Sequence, residues 1–304
     1  MKIIYQGTDI TGLAGVKKCI VRDTAGKRCD SLEIAFDNAE MWHAWGPEKD
    51  DRIIVRHDGY DSGTMYVNTV LPEDGTYRIL ATALPCAARA KGFRSFRLKT
   101  VEEIMRICAM ASSMDYRIFG IDGKAAIPYT EQDDETPAAF LSRLLALEGA
   151  ALKCVSGRYT AIGYEYAQDL EPVQTIPLPS AKPGALYCLT GTTLRGLRVC
   201  SPYASVAVTD RAVSQSHGST VISLPVTSSV QAWKWARWKL YEYNRECECV
   251  HIRSDFNPFM TAMARVDIES VTETSGEWIV ETAEHDFVEK KTIATLRRCI
   301  RSIR

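Results

Sequence analysis

Short stretches of alternating apolar and polar residues run through the first 97 residues of the chain. Leu32, Ile34 and Phe36 alternate with more polar neighbours, which is the period of a half-buried strand. Turn-forming residues separate the stretches, and frequent turns between short strands are typical of a barrel or sandwich. The pattern predicts strands at 2–6, 18–22, 31–36, 51–56, 64–70 and 77–83, a tryptophan-rich loop at 41–47 and a basic linker at 89–99.

Helical spacing replaces the alternation between residues 98 and 167. Thr100 and Glu103 have the spacing of a capping box, in which each side chain bonds to a free N–H at the helix start. A second helix begins at Thr136 and stops at Gly149, because glycine accepts the left-handed backbone of a helix end. Two strands follow, at 151–155 and 158–162. This segment is therefore predicted to be a small α+β domain.

The β pattern returns after a proline-rich stretch at 171–179, which is typical of a linker or an edge strand. One helix, at 228–244, interrupts it. Strands are predicted at 194–200, 204–210, 221–224, 249–253, 264–272, 277–283 and 291–300. The whole chain is thus predicted to be mainly β with an α+β insert. Its domains are a first β-barrel at 1–97, the insert at 98–167 and a second β-barrel with one helix at 168–304.

Composition narrows the classes of function. Hydrophobic residues make up 46% and charged residues 25%, and the net charge of −1 argues against a dedicated nucleic-acid binder. We expect no membrane insertion, because no apolar run approaches the ~18 residues of a spanning helix. The N-terminus lacks the apolar core of a signal peptide. The ten cysteines include no CxxC pair, which favours reduced, mostly buried thiols made in a cytosol.

Cys247, Cys249 and His251 are candidate metal ligands, because alternate residues of a strand share one face and these types suit Zn²⁺. A closed tetrahedral site usually draws on two separated ligand pairs, and no second pair stands out. We therefore favour a role of these three side chains in packing alone, and no metal or other cofactor is expected.

Glu281, Glu284, His285 and Asp286 form an acidic cluster with one histidine. Paired carboxylates could cleave a glycan by acid–base catalysis, but solvated charges at a turn between strands explain the cluster as well. His57 precedes an Asp-Gly turn and is interpreted as part of it. The chain has no HExxH, GxSxG or P-loop motif. No catalytic residue is predicted, and the protein is not expected to be an enzyme.

The helix at 228–244 is rich in aromatic residues with interleaved Lys and Arg. Nucleic-acid stacking or a membrane surface could use such a helix. Helical geometry favours another interpretation, in which one aromatic ridge lies in the core and a neighbouring ridge meets another subunit. The interface candidates are Trp233, Trp235, Trp238 and Tyr241 on this helix, together with Trp42 and Trp45 in the tryptophan-rich loop.

Three segments carry a resemblance to a known family. The first is the strand, acidic loop, strand and hairpin order of 31–67; the second is the acidic stretch of 127–144, which leads into a helix with the Phe-Leu-x-Arg-Leu sequence. The third is C-terminal, with a helix opening at Val230 and His285 shortly before the last strand. In order and spacing the chain resembles the late control D family, the baseplate hub proteins of contractile phage tails.

The resemblance implies two tail-tube-like barrels flanking the insert. It also implies a homotrimer that joins a sixfold tail tube to a threefold central spike, with the tape measure and other baseplate proteins as further neighbours. Such a protein is made in the bacterial host cytoplasm and is incorporated in the baseplate of a virion or tail-like particle. Two alternatives stay open: a tail-associated cell-wall glycan hydrolase and a carbohydrate-binding baseplate module. The sequence does not distinguish a phage from a bacteriocin or another injection machine.

Overall fold

The structure is a computed structural model that describes residues 1–303 apart from 14, 38, 74, 179–184 and 190. The fold is mainly β with a small α+β insert, which confirms the predicted fold class. Two β-rich regions lie before and after the insert in the chain.

The first β region follows the alternation in the sequence. Its described elements are β1 (Lys2–Tyr5), β2 (Thr8–Asp9), β3 (Val16–Thr24), β4 (Ser31–Phe36), α1 (Ala39–Trp45), β5 (Arg52–His57), β6 (Tyr60–Asp61), β7 (Met65–Glu73) and β8 (Thr76–Thr82). The predicted tryptophan-rich loop is wrong in part, since most of it forms helix α1. Fully buried Trp42 holds that helix by stacking on Phe36, with 3.8 Å between the ring centroids.

The sheet of this region is rolled around a single core. Its antiparallel strand order is β2-β1-β5-β7-β8-β4-β3. The strands from β1 to β3 in that order all send apolar side chains into one buried cluster, including Ile3 from β1 and Val21 from β3. Register shifts in the β3–β4 and β7–β8 pairs bend the strands locally. The alternation thus produces a curled sheet of the kind that encloses its own core.

The insert follows a short 3₁₀ turn (Cys86–Arg89). Its elements are β9 (Gly92–Thr100), α2 (Val101–Ala111), β10 (Asp115–Phe119), β11 (Ala126–Glu135), α3 (Pro137–Glu148), β12 (Ala150–Val155), β13 (Arg158–Gly163) and α4 (Tyr164–Asp169). Strand β9 corrects the predicted basic linker at 89–99, because this stretch pairs with β11 as an antiparallel ribbon. The sequence shows its charges but not its partner strand, which lies some thirty residues further along the chain.

Both predicted helix starts of the insert are confirmed. Thr100 Oγ1 accepts a bond of 3.2 Å from the Glu103 N–H, and the Glu103 carboxylate accepts one of 2.9 Å from the Thr100 N–H. Thr136 caps α3 by accepting a bond from the N–H of Ala139. Gly149 ends α3 with a φ of +86°, the left-handed conformation expected of it.

The second β region contains both a rolled sheet and a separate small one. Its described elements are β14 (Gln174–Pro177), β15 (Ala185–Leu189), β16 (Gly196–Cys200), β17 (Ser205–Thr209), β18 (Ser219–Ser223), α5 (Ser229–Arg245), β19 (Glu248–Asp255), β20 (Arg265–Glu269), β21 (Gly276–Asp286) and β22 (Lys291–Arg298). The larger sheet has the order β14-β20-β21-β22-β19-β15 and shares a core around Trp278. The proline-rich stretch contributes β14, an edge strand. Strands β16–β18 form their own sheet, whereas the sequence placed them in the barrel.

Strand β21 joins the two β regions into one sheet. One side of β21 pairs with β22 over most of its length. Its other side pairs with β20 in the first half and with β3 in the second half, where Thr282 to Asp286 lie opposite Thr24 to Ile20. The regions are therefore hydrogen-bonded to each other through one shared strand.

A buried ion cluster holds all three parts of the chain together. Lys153 of the insert reaches into the first region, where its Nζ lies 2.6 Å from Asp23 and 3.1 Å from Asp30. The Asp23 carboxylate also accepts a bond of 2.9 Å from the N–H of Ala262 in the second region. Both carboxylates are buried, and burial raises the pKa of Asp30 despite the adjacent ammonium group. Each charge therefore depends on its partners for compensation.

Candidate interface around the tryptophan-rich helix

Helix α5 begins with a capping arrangement that its sequence encodes. Ser228 Oγ accepts a bond of 3.2 Å from the N–H of Gln231, and the Gln231 side chain accepts one of 2.9 Å from the Thr227 N–H. These bonds satisfy donors that the first helical turn leaves free. The helix then continues to Arg245, close to its predicted end.

The first buried face of α5 packs on the small sheet of β16–β18. Ala232, Ala236 and Leu240 are fully buried there, in one cluster with Leu197 and Val208. The two alanines lie one helical turn apart, and their small side chains let the helix backbone approach the sheet closely. The sequence predicts an aromatic ridge in the core, and this is wrong for this face, which two alanines and a leucine line instead.

A second face of α5 packs on the insert. Trp235 Nε1 donates a bond of 2.8 Å to buried Glu148, which also forms an ion pair with Lys234. Trp238 lies directly over Gly149 at the end of α3. Tyr241 stacks on Tyr164 of α4, with ring centroids 4.8 Å apart. The aromatic side chains of α5 therefore join the insert to the second β region within one chain.

A buried arginine completes this contact. Arg245 forms a two-pronged ion pair with Glu281, at 2.7 and 3.2 Å, and its guanidinium lies 5.1 Å from the ring centroid of Tyr164. The side-chain amide of Gln168 donates a bond of 2.9 Å to the hydroxyl oxygen of buried Tyr241. Burial raises the pKa of both tyrosines, so their hydroxyls stay neutral.

These contacts show that four of the six residues predicted to lie at a subunit interface lie inside the chain instead. Trp42, Trp235, Trp238 and Tyr241 are each at most 7% exposed and are covered by the chain itself. The second aromatic ridge does give α5 more apolar surface than one core face needs, but the insert covers this surface instead of another subunit. Helical spacing shows that two faces are apolar and cannot show which part of the chain meets each face.

The other two predicted interface residues lie at the surface. Trp233 and Trp45 are each 43% exposed. Trp233 lies beside Val230, which is 79% exposed and one turn earlier on α5, and the guanidinium of Arg237 lies 5.6 Å from its ring. We define Val230 and Trp233 as the α5 surface patch. Apolar, aromatic and Arg side chains in such proximity suit a protein contact.

A deep cleft opens where α5, α3 and the β3–β4 loop meet. Its volume is about 910 Å³. Basic residues Lys27, Arg28 and Arg143 lie on its walls, and the ring of Trp235 and the side chain of Leu147 contribute apolar surface. The cleft is a seam between all three parts of the chain.

The acidic cluster considered for glycan cleavage does not form a catalytic pair in the structure. Its side chains bind four different partners: Arg245 for Glu281, Arg22 for Glu284, Thr292 for His285, and the N–H of Val288 for Asp286. His285 is fully buried, and its other ring nitrogen bonds to the Met260 carbonyl oxygen at 3.0 Å. Strand alternation sends neighbouring members of the cluster to opposite faces of β21.

His57 ends β5 and lies at the boundary between the two β regions. Its ring packs against Phe256 and Phe287, with centroid distances of 4.9 and 5.7 Å. Burial lowers the pKa of His57. Gly59 has a φ of +85°, which confirms the predicted turn after this histidine.

The cysteine candidates are rearranged by strand pairing. Cys247 lies at the end of α5, where its thiol bonds to the Tyr243 carbonyl oxygen, and it does not join the other two predicted ligands. Cys188 of β15 takes its place, so that the donor atoms of Cys188, Cys249 and His251 all lie within 4.8 Å of one another. Sequence reasoning missed Cys188 because only the pairing of β15 with β19 brings it there. None of the ten cysteines, all of them described, forms a disulfide.

Within the described residues, no helix has the length and apolar character needed to span a bilayer. This finding concerns helices alone.

Comparison with solved structures places this geometry in a known fold. The 43 kDa tail protein of prophage MuSo2 from Shewanella oneidensis superposes with a TM-score of 0.74 over 98% of this chain and 97% of that chain, at 13% identity. A tail protein from Neisseria meningitidis gives 0.76 over 98% and 95%, at 11% identity. The chain has the fold of phage tail proteins. No family model and no curated protein matches the sequence.

A similar fold occurs in a protein of a bacterial secretion system. An Escherichia coli component of the type VI secretion system, described as structurally similar to the T4 bacteriophage tail proteins gp27 and gp5, matches with a TM-score of 0.62. The match covers 97% of this chain and 76% of that chain, at 11% identity. The TM-scores show a common fold for these three proteins and this chain, and at identities this low they show nothing beyond the fold.

Proposed function

We propose that this chain is a structural component of a phage tail or tail-like particle, and that it acts there as the baseplate hub between tail tube and central spike. The observation that carries the proposal is the extent of the fold match: 98% of this chain superposes on 97% of the MuSo2 tail protein. Both β regions and the insert of this chain therefore lie within the matched part. The sequence resemblance to hub proteins of the late control D family supports the same role.

The internal architecture suits a symmetry adapter. Each chain carries two rolled β regions that share strand β21 in one sheet. Three such chains in a ring would offer six β regions to a sixfold tube and threefold symmetry to a spike. A closed ring needs complementary surfaces on neighbouring copies. The proposed assembly is thus a homotrimer that contacts tube protein on one side and spike protein on the other.

The α5 surface patch is the part of the tryptophan-rich helix that is available for such contacts. Val230 and Trp233 are exposed, whereas Trp235, Trp238 and Tyr241 on the same helix are buried. At the two ends of the described sheet path lie β2 and β15, whose outer edges can pair with neighbouring chains. We propose that the patch and these edges contribute to contacts between subunits, and that Trp45 marks a second contact.

Neither alternative function gains an observation in its favour. Glycan hydrolysis requires two carboxyl groups facing one substrate, but Glu281 and Glu284 are each held by an arginine. A carbohydrate-binding module would offer a platform of aromatic rings. The exposed indoles of Trp233 and Trp45 belong to different β regions. We therefore propose a role without catalysis.

The decisive test is assembly with the tube and spike proteins of the same phage tail or tail-like particle. Light scattering should give three copies of this chain for each spike trimer, and electron microscopy should show a ring between tube and spike. A chain that stays monomeric with both partners present would contradict the hub role. Release of reducing sugar from purified cell wall would instead support the hydrolase.

The variant Trp233→Ala refines this test. It should weaken ring formation while leaving the monomer folded. Tyr203→Ala is a matched control, because Tyr203 is 77% exposed and lies outside α5. Equal loss of assembly in both variants would argue against a specific contact at the α5 surface patch.

A further inference from the structure

Three metal-binding side chains meet on one face of the second β region. Cys188 lies directly opposite Cys249 in the antiparallel pairing of β15 with β19, and His251 is two residues further along β19 on the same face. Their donor atoms lie within 4.8 Å of one another. The opposite face of β19 carries Val250 and Ile252 into the core.

The separation of these donors matches the geometry of zinc. Bond lengths of about 2.3 Å to sulfur and about 2.05 Å to nitrogen, at tetrahedral angles, place a sulfur and a nitrogen ligand about 3.6 Å apart. Cys249 Sγ lies 3.6 Å from His251 Nε2. The same bond lengths place two sulfur ligands about 3.8 Å apart. The Cys188 sulfur lies within 4.8 Å of the other two donor atoms, so a small change of its rotamer would bring it to that distance.

The neighbouring strand β22 prepares the histidine for this role. Thr295 lies opposite His251, and its Oγ1 is 3.0 Å from His251 Nδ1. In the tautomer that carries its proton on Nδ1, that N–H donates to the threonine oxygen and the Nε2 lone pair faces Cys249. Ligating histidines typically have their second nitrogen fixed by such a bond. Burial raises the pKa of the Cys249 thiol, and the positive charge of Arg297, opposite Cys249, acts against that rise.

We propose that Cys188, Cys249 and His251 bind one Zn²⁺-like divalent ion, with water as the fourth ligand. Cysteine and imidazole ligands together select zinc over hard ions such as Mg²⁺ or Ca²⁺. Binding replaces the two S–H protons, which pass to solvent. The site differs from the sequence candidate by the exchange of Cys247 for Cys188, and it departs from the expectation that the protein binds no metal.

The position of the site indicates that the ion would stabilise one edge of the sheet. Among the described strands, β15 ends this side of the sheet, and β19 is its neighbour. An ion held by both strands would add a cross-link to the backbone hydrogen bonds of this edge. Since the ion binds the folded chain only, it should raise the melting temperature.

The test is a titration of the full chain with Co²⁺, after reduction and removal of metal by a chelator. One Co²⁺ per chain should produce a thiolate-to-cobalt charge-transfer band and the visible bands of a tetrahedral ion, and Zn²⁺ should displace it. Cys188→Ser and His251→Gln should abolish the charge-transfer signal at equimolar Co²⁺. Thr295→Val should weaken the affinity about tenfold.

Cys247→Ser is the matched control and should bind Co²⁺ like the parent chain. Far-UV circular dichroism checks that each variant is folded, and Cys188→Ala replaces Cys188→Ser if serine disturbs the strand. The proposal is overturned if the parent chain gives no charge-transfer band, if Cys188→Ser retains it, or if Cys247→Ser loses it. A Cys188–Cys249 disulfide in freshly purified protein, seen by intact mass, would also overturn it in favour of a redox pair.

Discussion

The α-carbon of Gly149 lies against the indole of Trp238, so closely that a β-carbon at position 149 would overlap the ring. The same glycine ends α3 in the left-handed conformation. One residue therefore meets two requirements: it stops a helix of the insert, and it lets α5 of the second β region come into contact.

Replacing Gly149 by alanine should destabilise the protein by about 3 kcal/mol, because it combines left-handed backbone strain with an overpacked contact. Chemical denaturation measures the loss. Gly59→Ala is the matched control: its φ of +85° is almost the same, and no atom lies within 4 Å of the added carbon. It should cost only the backbone part, about 1–2 kcal/mol. Equal losses in the two variants would mean that Trp238 moves aside freely.

The two tryptophans Trp238 and Trp233 should respond in opposite ways to truncation. Trp238→Ala empties a buried contact and should cost about 3–5 kcal/mol of unfolding free energy. Trp233→Ala should leave folding within about 0.5 kcal/mol and weaken assembly by about 2 kcal/mol or more. Denaturation of the monomer and titration of ring formation measure the two effects. A fold weakened by Trp233→Ala as much as by Trp238→Ala would contradict this division.

Loss of the buried ammonium group should be severe. Lys153→Met leaves Asp23 and Asp30 together without a counter-charge, and we expect a loss of about 3–5 kcal/mol by denaturation. Lys27→Met is the control, since the Lys27–Glu246 pair is exposed and should change stability by no more than about 1 kcal/mol. Similar values for both variants would show that water reaches the cluster.

Stability should fall with acidification because of buried His285. Burial lowers the pKa of this imidazole below its ordinary value of 6.5, although Asp23 opposes the shift. The unfolded chain then binds a proton that the folded chain does not. The stabilisation is fully present above pH 6.5 and is lost as the pH falls from there through the folded-state pKa.

Denaturation between about pH 7.5 and 5.5 measures this slope. His285→Gln keeps a polar side chain that can reach Thr292 and the Met260 carbonyl oxygen, and it should show a shallower slope than the parent chain. His57, whose pKa burial also lowers, contributes a slope of the same sign. An unchanged slope in His285→Gln would assign the whole effect to other groups.

Local signals in the sequence predicted local structure well. Thr100 and Glu103 form the expected capping box, and Gly149 adopts the expected left-handed stop. Strand β4 has its predicted bounds, because the alternation of Leu32, Ile34 and Phe36 directly reflects which side chains enter the core. Signals of this type depend only on neighbours within a few residues.

Long-range pairing could not be predicted in the same way. The basic stretch before Thr100 is strand β9 because of its partner β11, and charge composition carries no information about that partner. Cys188 reaches Cys249 across a strand pair that spans some sixty residues of chain. Helical spacing predicts a subunit contact for Trp238, which is wrong because periodicity reveals an apolar face without revealing what covers it.

The shared strand β21 has a mechanical consequence. Because the half of it that pairs with β3 continues directly into the half that pairs with β20, displacing one β region along the strand direction loads the β21–β3 hydrogen bonds in shear, all at once. Shear distributes a force over every bond of the ladder, whereas peeling breaks bonds one at a time. A force applied to one β region should therefore move the other β region with it as one rigid unit.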